Sequence, residues 1–211
     1  MKAILIYSGG MDSTVLLHQF RESIELAISF NYGSKQNHTE IGHAALNCGR
    51  LQVQHKIIDL SILNRILKSD LLLSGGKIED GAYSKEKTNT CVPFRNGIML
   101  SLATGVADSE HMNAVFIANH SSDFIYPDCS YEFINSLSMA TQNGTYNRIE
   151  IISPYCKKTK RDIAEIGREI GVDFSNTYSC YKGEKNHCGV CATCIDRKEA
   201  LKGFDTTIYE N

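Results

Sequence analysis

Short apolar runs alternate with segments of helical spacing along most of the chain. The runs, each of strand length, lie at residues 2–7, 25–30, 55–60, 114–118 and 149–152. Apolar side chains recur at helical spacing over residues 13–20, 38–51, 93–107, 132–142, 160–170 and 195–201. Strands that alternate with helices predict an α/β fold around a doubly wound, mainly parallel, five-stranded sheet.

Two regions interrupt this alternation. Residues 69–90 contain Gly75, Gly76 and Gly81 and many charges with little periodicity, which predicts a mobile surface loop and a candidate lid. Residues from Tyr178 onward are rich in cysteine. We therefore expect an α/β domain over residues 1–175 and a small cysteine-rich C-terminal segment, residues 176–211, packed on it.

Composition and charge favour a small-molecule partner. Hydrophobic residues make up 42% of the 211 residues, enough for a sizeable core, and the formal net charge is -2. Without a basic excess there is no argument for direct contact with nucleic acid or a membrane surface. No run is long and apolar enough for a membrane span, and we expect a cytoplasmic protein. The sequence does not distinguish a monomer from a homodimer.

The first strand runs into a glycine-bearing loop that leads into a helix. The glycines allow a sharp turn, so that successive backbone N–H groups and the helix N-terminus face one concavity, which suits phosphate. The alternative is a simple Gly-Gly turn followed by a helix cap. The loop lacks the Gly-Lys-Ser/Thr ending of a Walker A motif and matches the Ser-Gly-Gly-x-Asp-Ser pattern of PP-loop ATP pyrophosphatases. The residues predicted to bind the phosphates of ATP are Ser8, Gly9, Gly10, Met11, Asp12, Ser13 and Thr14.

Four of the eight cysteines lie close together near the C-terminus. They are Cys180, Cys188, Cys191 and Cys194, and the last three form two Cys-x2-Cys steps that share Cys191. Four thiolates suit a tetrahedral zinc ion, and a closed all-cysteine site is structural rather than catalytic. An iron–sulfur cluster is the main alternative, because spacing alone does not separate the two metals. Disulfides are disfavoured in a cytosolic chain.

Three further motifs are weak when each is taken alone. Residues 92–96, Val-Pro-Phe-Arg-Asn, read as the start of a helix with a surface arginine. Residues 126–129, Tyr-Pro-Asp-Cys, read as a turn. Residues 158–162, Lys-Thr-Lys-Arg-Asp, are a basic helix start that fits either a solvated face or a phosphate contact.

In combination and in this order, the motifs resemble the 7-cyano-7-deazaguanine synthase family within the PP-loop ATP pyrophosphatases. The resemblance runs from Ala3 to about Ala200, and its most specific parts are the Tyr-Pro-Asp-Cys segment and the tail Ser179-Cys180-Tyr181-Lys182-Gly183. The resemblance implies a ligase of queuosine-type biosynthesis that converts 7-carboxy-7-deazaguanine and ammonia to the nitrile. It implies that ATP, with Mg²⁺, adenylates first the carboxylate and then the amide oxygen.

The resemblance also implies roles for individual residues. Asp12 and Lys160 would act on the phosphates, with Asp12 also orienting Mg²⁺ and Lys160 supplying a point charge. Arg95 would be a third catalytic residue and would face the cleft. The expected deazaguanine pocket consists of Tyr126, Asp128, Cys129, Asn96, Gln36 and His38. An aspartate such as Asp128 suits a guanine-like edge, because a carboxylate accepts two hydrogen bonds.

Two departures from the family pattern leave other activities open. Ser130 stands where relatives often carry arginine, and residues 32–38 read Tyr-Gly-Ser-Lys-Gln-Asn-His instead of Tyr-Gly-Gln-Arg-His. The alternatives are a divergent deazaguanine ligase that stops at the amide, a tRNA thiolase of the same superfamily, and a non-catalytic nucleotide-binding module stabilised by zinc. The balanced charge argues against a thiolase, and the intact loop with Asp12 and Ser13 argues against a non-catalytic module.

Overall fold

The computed structural model describes residues 1–83, 89–121 and 126–210. Its centre is a five-stranded sheet in the order β3-β2-β1-β4-β5, and every neighbouring pair is parallel. The strands are β1 (Ala3–Ile6), β2 (Ile24–Asn31), β3 (Gln54–Asp59), β4 (Ala114–Phe116) and β5 (Glu150–Ile152). This confirms the α/β fold and each of the predicted strands.

Seven α-helices of the described residues connect or flank the strands. They are α1 (Met11–Gln19), α2 (Asn37–Leu51), α3 (Leu63–Ile66), α4 (Arg95–Ser109), α5 (Tyr131–Gly144), α6 (Lys160–Glu169) and α7 (Ala192–Ala200). Only the four-residue α3 has no counterpart in the sequence prediction. Within the described ranges no helix is long and apolar enough to cross a membrane.

The sheet separates two apolar cores, and β1 contributes to both. Ala3 and Leu5 belong to the core formed with α1, α2, α6 and α7, whereas Ile4 belongs to the core formed with α4 and α5. Successive side chains of a strand point to opposite faces, so a central strand with both faces covered must be apolar throughout. This is why β1 reads as a continuous apolar run.

The strand order fixes where ligands can reach the sheet. The chain proceeds from β1 outward to β2 and β3, then returns to the other side of β1 with β4 and β5. The connections after β1 and β4 therefore diverge to opposite sides and leave a crevice at the carboxyl ends of these strands. Open α/β sheets bind their ligands in this type of crevice.

Residues 69–83 differ from the predicted surface loop. Leu71, Leu72 and Ile78 are buried in the core, and Leu72 forms an antiparallel bridge with Ser34. The expectation of a surface loop is wrong for Leu71, Leu72 and Ile78, whose apolar side chains follow no helical or strand periodicity, whereas Leu73 and Glu79 are exposed. Residues 84–88 of the same predicted loop lie outside the described residues.

The C-terminal segment is tied to the α/β core by a buried arginine. The guanidinium of Arg197 in α7 donates to the hydroxyls of Thr207 (2.8 Å) and Thr177 (2.8 Å) and to the carbonyl of Phe174 (2.7 Å). Because Arg197 is fully buried, these bonds compensate the loss of water around its charge. The boundary near residue 175 stays a prediction.

Candidate active site

The loop after β1 is held in shape by its own hydroxyl groups. The Ser13 hydroxyl donates to the carbonyl of Gly10 at 3.2 Å, and the backbone N–H of Gly10 donates to the hydroxyl of Ser8 at 3.1 Å. The Thr14 hydroxyl also donates to the Gly10 carbonyl, at 2.8 Å. These bonds fix a turn whose Ser8, Gly10 and Ser13 line a cavity, while Thr14 lies behind them.

Gly9 is the residue that makes the turn sterically feasible. Its φ is 80°, in the left-handed region that favours glycine. A Cβ at this position would lie 2.3 Å from the carbonyl oxygen of Glu40 and 2.8 Å from the backbone nitrogen of Ala44. The loop therefore packs directly on the first turns of α2, and Gly9 shapes the cavity without lining it.

Asp12 is the charged residue at the base of the loop. Its Oδ2 lies 3.3 Å from Nζ of Lys160 and 3.7 Å from Nε2 of His120. Burial would raise the pKa of Asp12, but the charges of Lys160 and His120 outweigh burial and hold this pKa below its usual value. Asp12 is therefore ionised at neutral pH, and its buried Oδ1 has no hydrogen-bond partner among the described residues.

A capping box places Lys160 opposite this loop. The Thr159 hydroxyl accepts the backbone N–H of Asp162, and the Asp162 carboxylate accepts the backbone N–H of Thr159. The two bonds fix the start of α6, so that Lys160 is its first residue and its ammonium reaches across the crevice to Asp12.

Three tyrosines of the cavity lining form an aromatic wall. The hydroxyl of Tyr181 accepts from that of Tyr83 at 2.8 Å and lies 3.3 Å from that of Tyr126. The ring of Tyr83 stands nearly perpendicular to the other two, at centroid distances of 6.4 Å. Flat aromatic walls with hydroxyl groups at their edges suit a planar heterocycle with polar substituents.

Arg95, the first residue of α4, also lines the cavity. Its Nη1 donates to the hydroxyl of Tyr32 at 3.3 Å, and its guanidinium carbon lies 5.6 Å from the centre of the Tyr32 ring. Phe94, which precedes it, has a φ of 53°, and this left-handed residue directs the chain into α4. The cavity thus contains a half-buried guanidinium that can bind a carboxylate in a fork.

Asn96, Cys129 and Asp128 form one hydrogen-bonded unit where α4 meets the 3-10 turn Pro127–Cys129. The Asn96 side-chain amide donates to Sγ of Cys129 at 3.1 Å, and both residues line the cavity. The Asp128 carboxylate instead accepts the backbone N–H of Asn96 at 2.8 Å. Asp128 therefore stabilises the first turn of α4 and does not line the cavity as the described residues define it.

Of the polar residues that follow β2, some line the cavity and others are exposed to solvent. Gln36 is buried and lines the cavity, and its Oε1 has no hydrogen-bond partner among the described residues. His38 is exposed and does not line the cavity. One turn along α2, Glu40 does line it.

The four C-terminal cysteines form a separate, buried cluster. All of their sulfur atoms lie within 4.8 Å of one another, with 3.9 Å between Cys188 and Cys194 and 4.0 Å between Cys191 and Cys180. Backbone N–H groups of Cys188 and Cys191 donate to sulfur atoms of the cluster. This arrangement could hold a metal ion. Tyr181 and Thr193, which lie next to or between these cysteines in the chain, line the cavity.

Most of the predicted site residues come together in one cavity. Those that line it are Ser8, Gly10, Met11, Asp12, Ser13, Gln36, Arg95, Asn96, Tyr126, Cys129 and Lys160. Gly9 and Thr14 support the loop from behind, whereas Asp128 and His38 are not brought to the cavity. The roles assigned to all these residues stay predictions.

Sequence reasoning missed Glu40, Asn119 and His120, which also line the cavity. Asn119 donates to the carbonyl of Cys129 at 2.6 Å, and His120 lies beside Asp12. Their position directly after β4, the strand next to β1, is a signal that could have found them. Glu40 follows Gln36 by one helical turn, which is the spacing that places two side chains on the same face.

A parallel sheet with a Ser-Gly-Gly-x-Asp-Ser loop at its switch point defines the PP-loop class of nucleotide-binding α/β proteins. The chain belongs to the family described as queuosine biosynthesis protein QueC, whose family model matches residues 2–205.

Named relatives agree with this assignment over nearly the whole chain. A protein of Porphyromonas gingivalis is 49% identical over 99% of this chain and 97% of its own length, and one of Desulfotalea psychrophila is 46% identical over 98% of each. A protein of Methanoregula boonei is 41% identical over 96% of this chain and 94% of its own length. All three are called 7-cyano-7-deazaguanine synthase.

A solved structure supports the fold alone. The structure of NMN synthetase from Francisella tularensis superposes with a TM-score of 0.50 at 12% identity, covering 97% of this chain and 79% of that one.

Proposed function

We propose that this chain is an ATP-dependent carbon–nitrogen ligase that converts 7-carboxy-7-deazaguanine and ammonia to 7-cyano-7-deazaguanine. The observation that carries the proposal is the single cavity in which the PP-loop, with Asp12 and Lys160, faces Arg95 and the tyrosine wall. One cavity then offers both an anion-binding and a base-binding surface. The names of the relatives give 7-cyano-7-deazaguanine as the product, and the carboxylate substrate is the one that the family resemblance implies.

The reaction requires the same kind of step twice. A carboxylate oxygen attacks the α-phosphorus of ATP and releases pyrophosphate, and ammonia then displaces AMP to give the amide. The amide oxygen attacks a second ATP, and loss of AMP gives the nitrile. In both rounds an oxygen atom of the substrate becomes part of a good leaving group. One cavity serves both rounds because both oxygen atoms are bonded to the same carbon.

The phosphate loop and Lys160 would act on the α-phosphate and the pyrophosphate. The N–H groups at the start of α1 and the Ser8 and Ser13 hydroxyls are oriented by their mutual bonds before any ligand binds. Lys160, held by the capping box, adds positive charge where negative charge moves onto the leaving pyrophosphate.

The chemistry of Asp12 fits a magnesium ion. Its low pKa keeps the carboxylate ionised, and its buried Oδ1 has no hydrogen-bond partner among the described residues. Carboxylate oxygen is the ligand that Mg²⁺ prefers, and the ion usually bridges one or two carboxylates and the phosphates of a substrate. Bound there, Mg²⁺ would neutralise charge on the phosphates.

The cysteine cluster fits a structural zinc ion. A tetrahedron with Zn–S bonds of about 2.3 Å separates its sulfur atoms by about 3.8 Å, and the observed separations include 3.9 and 4.0 Å. With four cysteines the coordination shell is full, so the ion would have no open position for a substrate. Zinc would stabilise the segment that carries Tyr181 and Thr193.

Arg95 offers a binding group for the substrate carboxylate, which argues against an enzyme that stops at the amide. The sequence departure at Ser130 removes an arginine, but Ser130 caps α5 by accepting the N–H of Phe133 and is not part of the cavity lining. Arg95 is still available to a substrate carboxylate. We therefore favour the complete reaction to the nitrile.

Product analysis tests the proposal. The protein is incubated with ATP, Mg²⁺, ammonium and 7-carboxy-7-deazaguanine, and mass spectrometry separates carboxylate, amide and nitrile. We expect the nitrile, with two AMP formed for each. An end point at the amide with one AMP would support the divergent ligase, and no consumption of the deazaguanine would refute both.

A further inference from the structure

The proposed reaction requires an acceptor for the protons that leave the nitrogen atom. Ammonia enters with three N–H bonds and the nitrile nitrogen has none, so three protons must leave one nitrogen atom. One leaves as the amide forms, one as the amide oxygen is adenylated, and one as AMP departs. A proton acceptor beside that nitrogen would serve every stage, since general bases commonly contribute about a hundredfold or more in rate. This inference rests on the proposed function.

Few carboxyl or tyrosine groups of the described cavity lining can serve as this acceptor, and His120 lies beside Asp12 on the side of the loop after β1. Asp12 is held ionised beside Lys160 and His120 on the phosphate side, where its low pKa makes it a weak base. Burial raises the pKa of Tyr32, and raises those of Tyr83 and Tyr181 well above the usual value, so these hydroxyls keep their protons. Glu40 is the remaining carboxyl group of the lining.

Glu40 lies at the junction of the two halves of the cavity. Its backbone carbonyl packs on Gly9 of the phosphate loop, and it belongs to the first turn of α2. Its carboxyl group interacts electrostatically with Arg95 at the start of α4. It also interacts with Tyr32 after β2 and with Tyr178 of the C-terminal segment. Glu40 is thus near both the phosphate loop and the guanidinium that would hold the substrate carboxylate.

Gln36 supplies a second, independent observation. Its side chain is 2% exposed and lines the same cavity, and its Oε1 has no hydrogen-bond partner among the described residues. A buried acceptor without a donor destabilises the fold, so its persistence points to a ligand that donates. Gln36 and Glu40 are one helical turn apart, and the N–H of Glu40 donates to the carbonyl of Gln36 at 2.9 Å.

We propose that Gln36 and Glu40 form the ammonia subsite, in which Gln36 Oε1 accepts an N–H of the nucleophile and the Glu40 carboxylate accepts the protons that leave nitrogen. In amide formation the nitrogen lone pair forms the C–N bond, the C–O bond to AMP breaks, and the proton passes to Glu40. When the amide oxygen attacks the second ATP, pyrophosphate leaves, the C=O π bond is replaced by a C=N π bond, and the second proton passes from nitrogen to Glu40. In nitrile formation the remaining N–H electron pair becomes the second C–N π bond as AMP leaves with the C–O pair, and the third proton passes to Glu40. Glu40 then releases each proton to solvent.

The electrostatics of Glu40 suit this exchange. Burial raises its pKa to about 8, although the charge of Arg95 partly opposes this shift. Lys160, Asp12 and His120 face the same cavity from α6, α1 and the residues after β4. A carboxyl group with such a pKa takes up and returns protons near neutral pH, whereas an ordinary glutamate would be too weak a base.

Separate half-reactions test the subsite. In Glu40→Gln we expect carboxylate-dependent ATP–pyrophosphate exchange within about threefold of the wild type, because the first adenylation removes no proton from nitrogen. Amide formation with ammonium and nitrile formation from the purified amide should each fall about a hundredfold. Gln36→Leu should raise the KM for ammonium with little change in exchange.

Glu132→Gln is the matched control, since Glu132 also lies in the first turn of a helix but is exposed outside the cavity. We expect wild-type rates from it in every half-reaction. Normal nitrile formation from the amide in Glu40→Gln would overturn the assignment of the base. Equal loss of exchange and of amide formation would mean that Glu40 binds substrate or ATP instead. Absence of exchange in the wild type would refute the proposed function itself, not the subsite alone.

The pH dependence of the rate of nitrile formation distinguishes a general base from a residue with a purely structural role. With saturating amide and ATP, the wild-type rate of nitrile formation should rise about tenfold per pH unit below pH 8 and then level off, because only ionised Glu40 accepts a proton. In Glu40→Gln the residual rate should lack this rise.

The folded state also binds more protons than the unfolded state between the ordinary and raised pKa of Glu40. Relative to Glu40→Gln, the wild type should therefore lose thermal stability as pH rises from about 5 to 8. An identical pH profile in both proteins would overturn the proposal.

Discussion

The cysteine cluster and the cavity differ in whether their buried polar atoms have partners within the protein. In the cluster, four sulfur atoms face one another within 4.8 Å and backbone N–H groups donate to them, all in the protein interior. In the cavity, Asp12 Oδ1 and Gln36 Oε1 are buried without hydrogen-bond partners among the described residues. Buried polar atoms normally have partners, so the first arrangement is complete once a metal is bound, and the second requires ligands.

The two regions are nevertheless physically connected. Tyr181 follows Cys180 directly, and Thr193, whose hydroxyl lies 3.4 Å from Sγ of Cys191, separates Cys191 from Cys194. Both residues line the cavity. The cluster therefore supports part of the proposed base-binding wall. Loss of the cluster should impair the cavity, whereas substitutions in the cavity should leave the cluster intact.

The largest effect should come from breaking the cluster. Cys191→Ser should lose its bound metal and several kcal/mol of stability, because the binding free energy of a structural zinc ion is also folding free energy. Elemental analysis and thermal unfolding measure both effects. Cys156→Ser, which removes a cysteine outside the cluster, should keep the metal and melt like the wild type. Iron in the wild type, or a stable metal-free fold, would contradict the assignment of zinc.

Breaking the cavity should abolish turnover and leave the fold intact. Lys160→Met removes a positive charge from the phosphate side and should lower kcat about a hundredfold to a thousandfold, the usual range for one such group. Asp12→Asn should act similarly. Melting temperatures should change by only a few degrees, since neither residue belongs to an apolar core.

Lys202→Met, which removes an exposed lysine, is the control for charge alone and should retain full turnover. Turnover near the wild-type rate in Lys160→Met would contradict the role of Lys160.

Tyr181→Phe tests whether a change in the cavity wall affects the cysteine cluster. The ring stays available for stacking, but the hydroxyl contacts with Tyr83 and Tyr126 are lost. A hydrogen bond is worth roughly 0.5–1.5 kcal/mol, so the KM for the deazaguanine should rise about twofold to tenfold. Metal content should be unchanged, and Tyr146→Phe, at a fully exposed tyrosine, should alter neither quantity. A loss of metal in Tyr181→Phe would show that the coupling also runs from the cavity to the cluster.

The smallest effect should come from Asp128. Its carboxylate accepts the N–H of Asn96, so Asp128→Ala should cost about 1 kcal/mol, the usual cost of a lost cap, and lower the melting temperature by about 2–4 °C. Affinity for the deazaguanine, measured by titration, should change little. A large loss of that affinity with an unchanged melting temperature would restore the original expectation that Asp128 recognises the base.

Sequence and structure agree where one local signal determines the outcome. The apolar run of β1 followed by two glycines predicted both a central strand and the sharp turn into α1, and the cysteine spacing predicted the cluster, because each depends on residues close in sequence. Asp128 shows the limit of this reasoning. Its motif contained an acceptor of the correct chemistry, but its partner, the N–H of Asn96, lies 32 residues away in the chain and could be identified only in three dimensions.

The residues that sequence reasoning missed have the same explanation. His120 and Glu40 carry no local motif, and each enters the cavity because the strand order brings the ends of β1, β2 and β4 together. Leu71 and Leu72 were assigned to a surface loop for the complementary reason, since buried irregular backbone has no periodicity to detect. Side chains at the carboxyl ends of parallel strands are therefore the best candidates when motifs are absent.

The fate of the substrate oxygen atoms tests the central claim, activation as an adenylate, most directly. The wild-type protein is supplied with 7-carboxy-7-deazaguanine labelled with oxygen-18 at both carboxylate positions, together with ATP, Mg²⁺ and ammonium. If both oxygen atoms leave as adenylates, each of the two AMP molecules formed per nitrile carries one labelled oxygen, and pyrophosphate carries none. Unlabelled AMP, with the label in phosphate, pyrophosphate or water, would contradict the account.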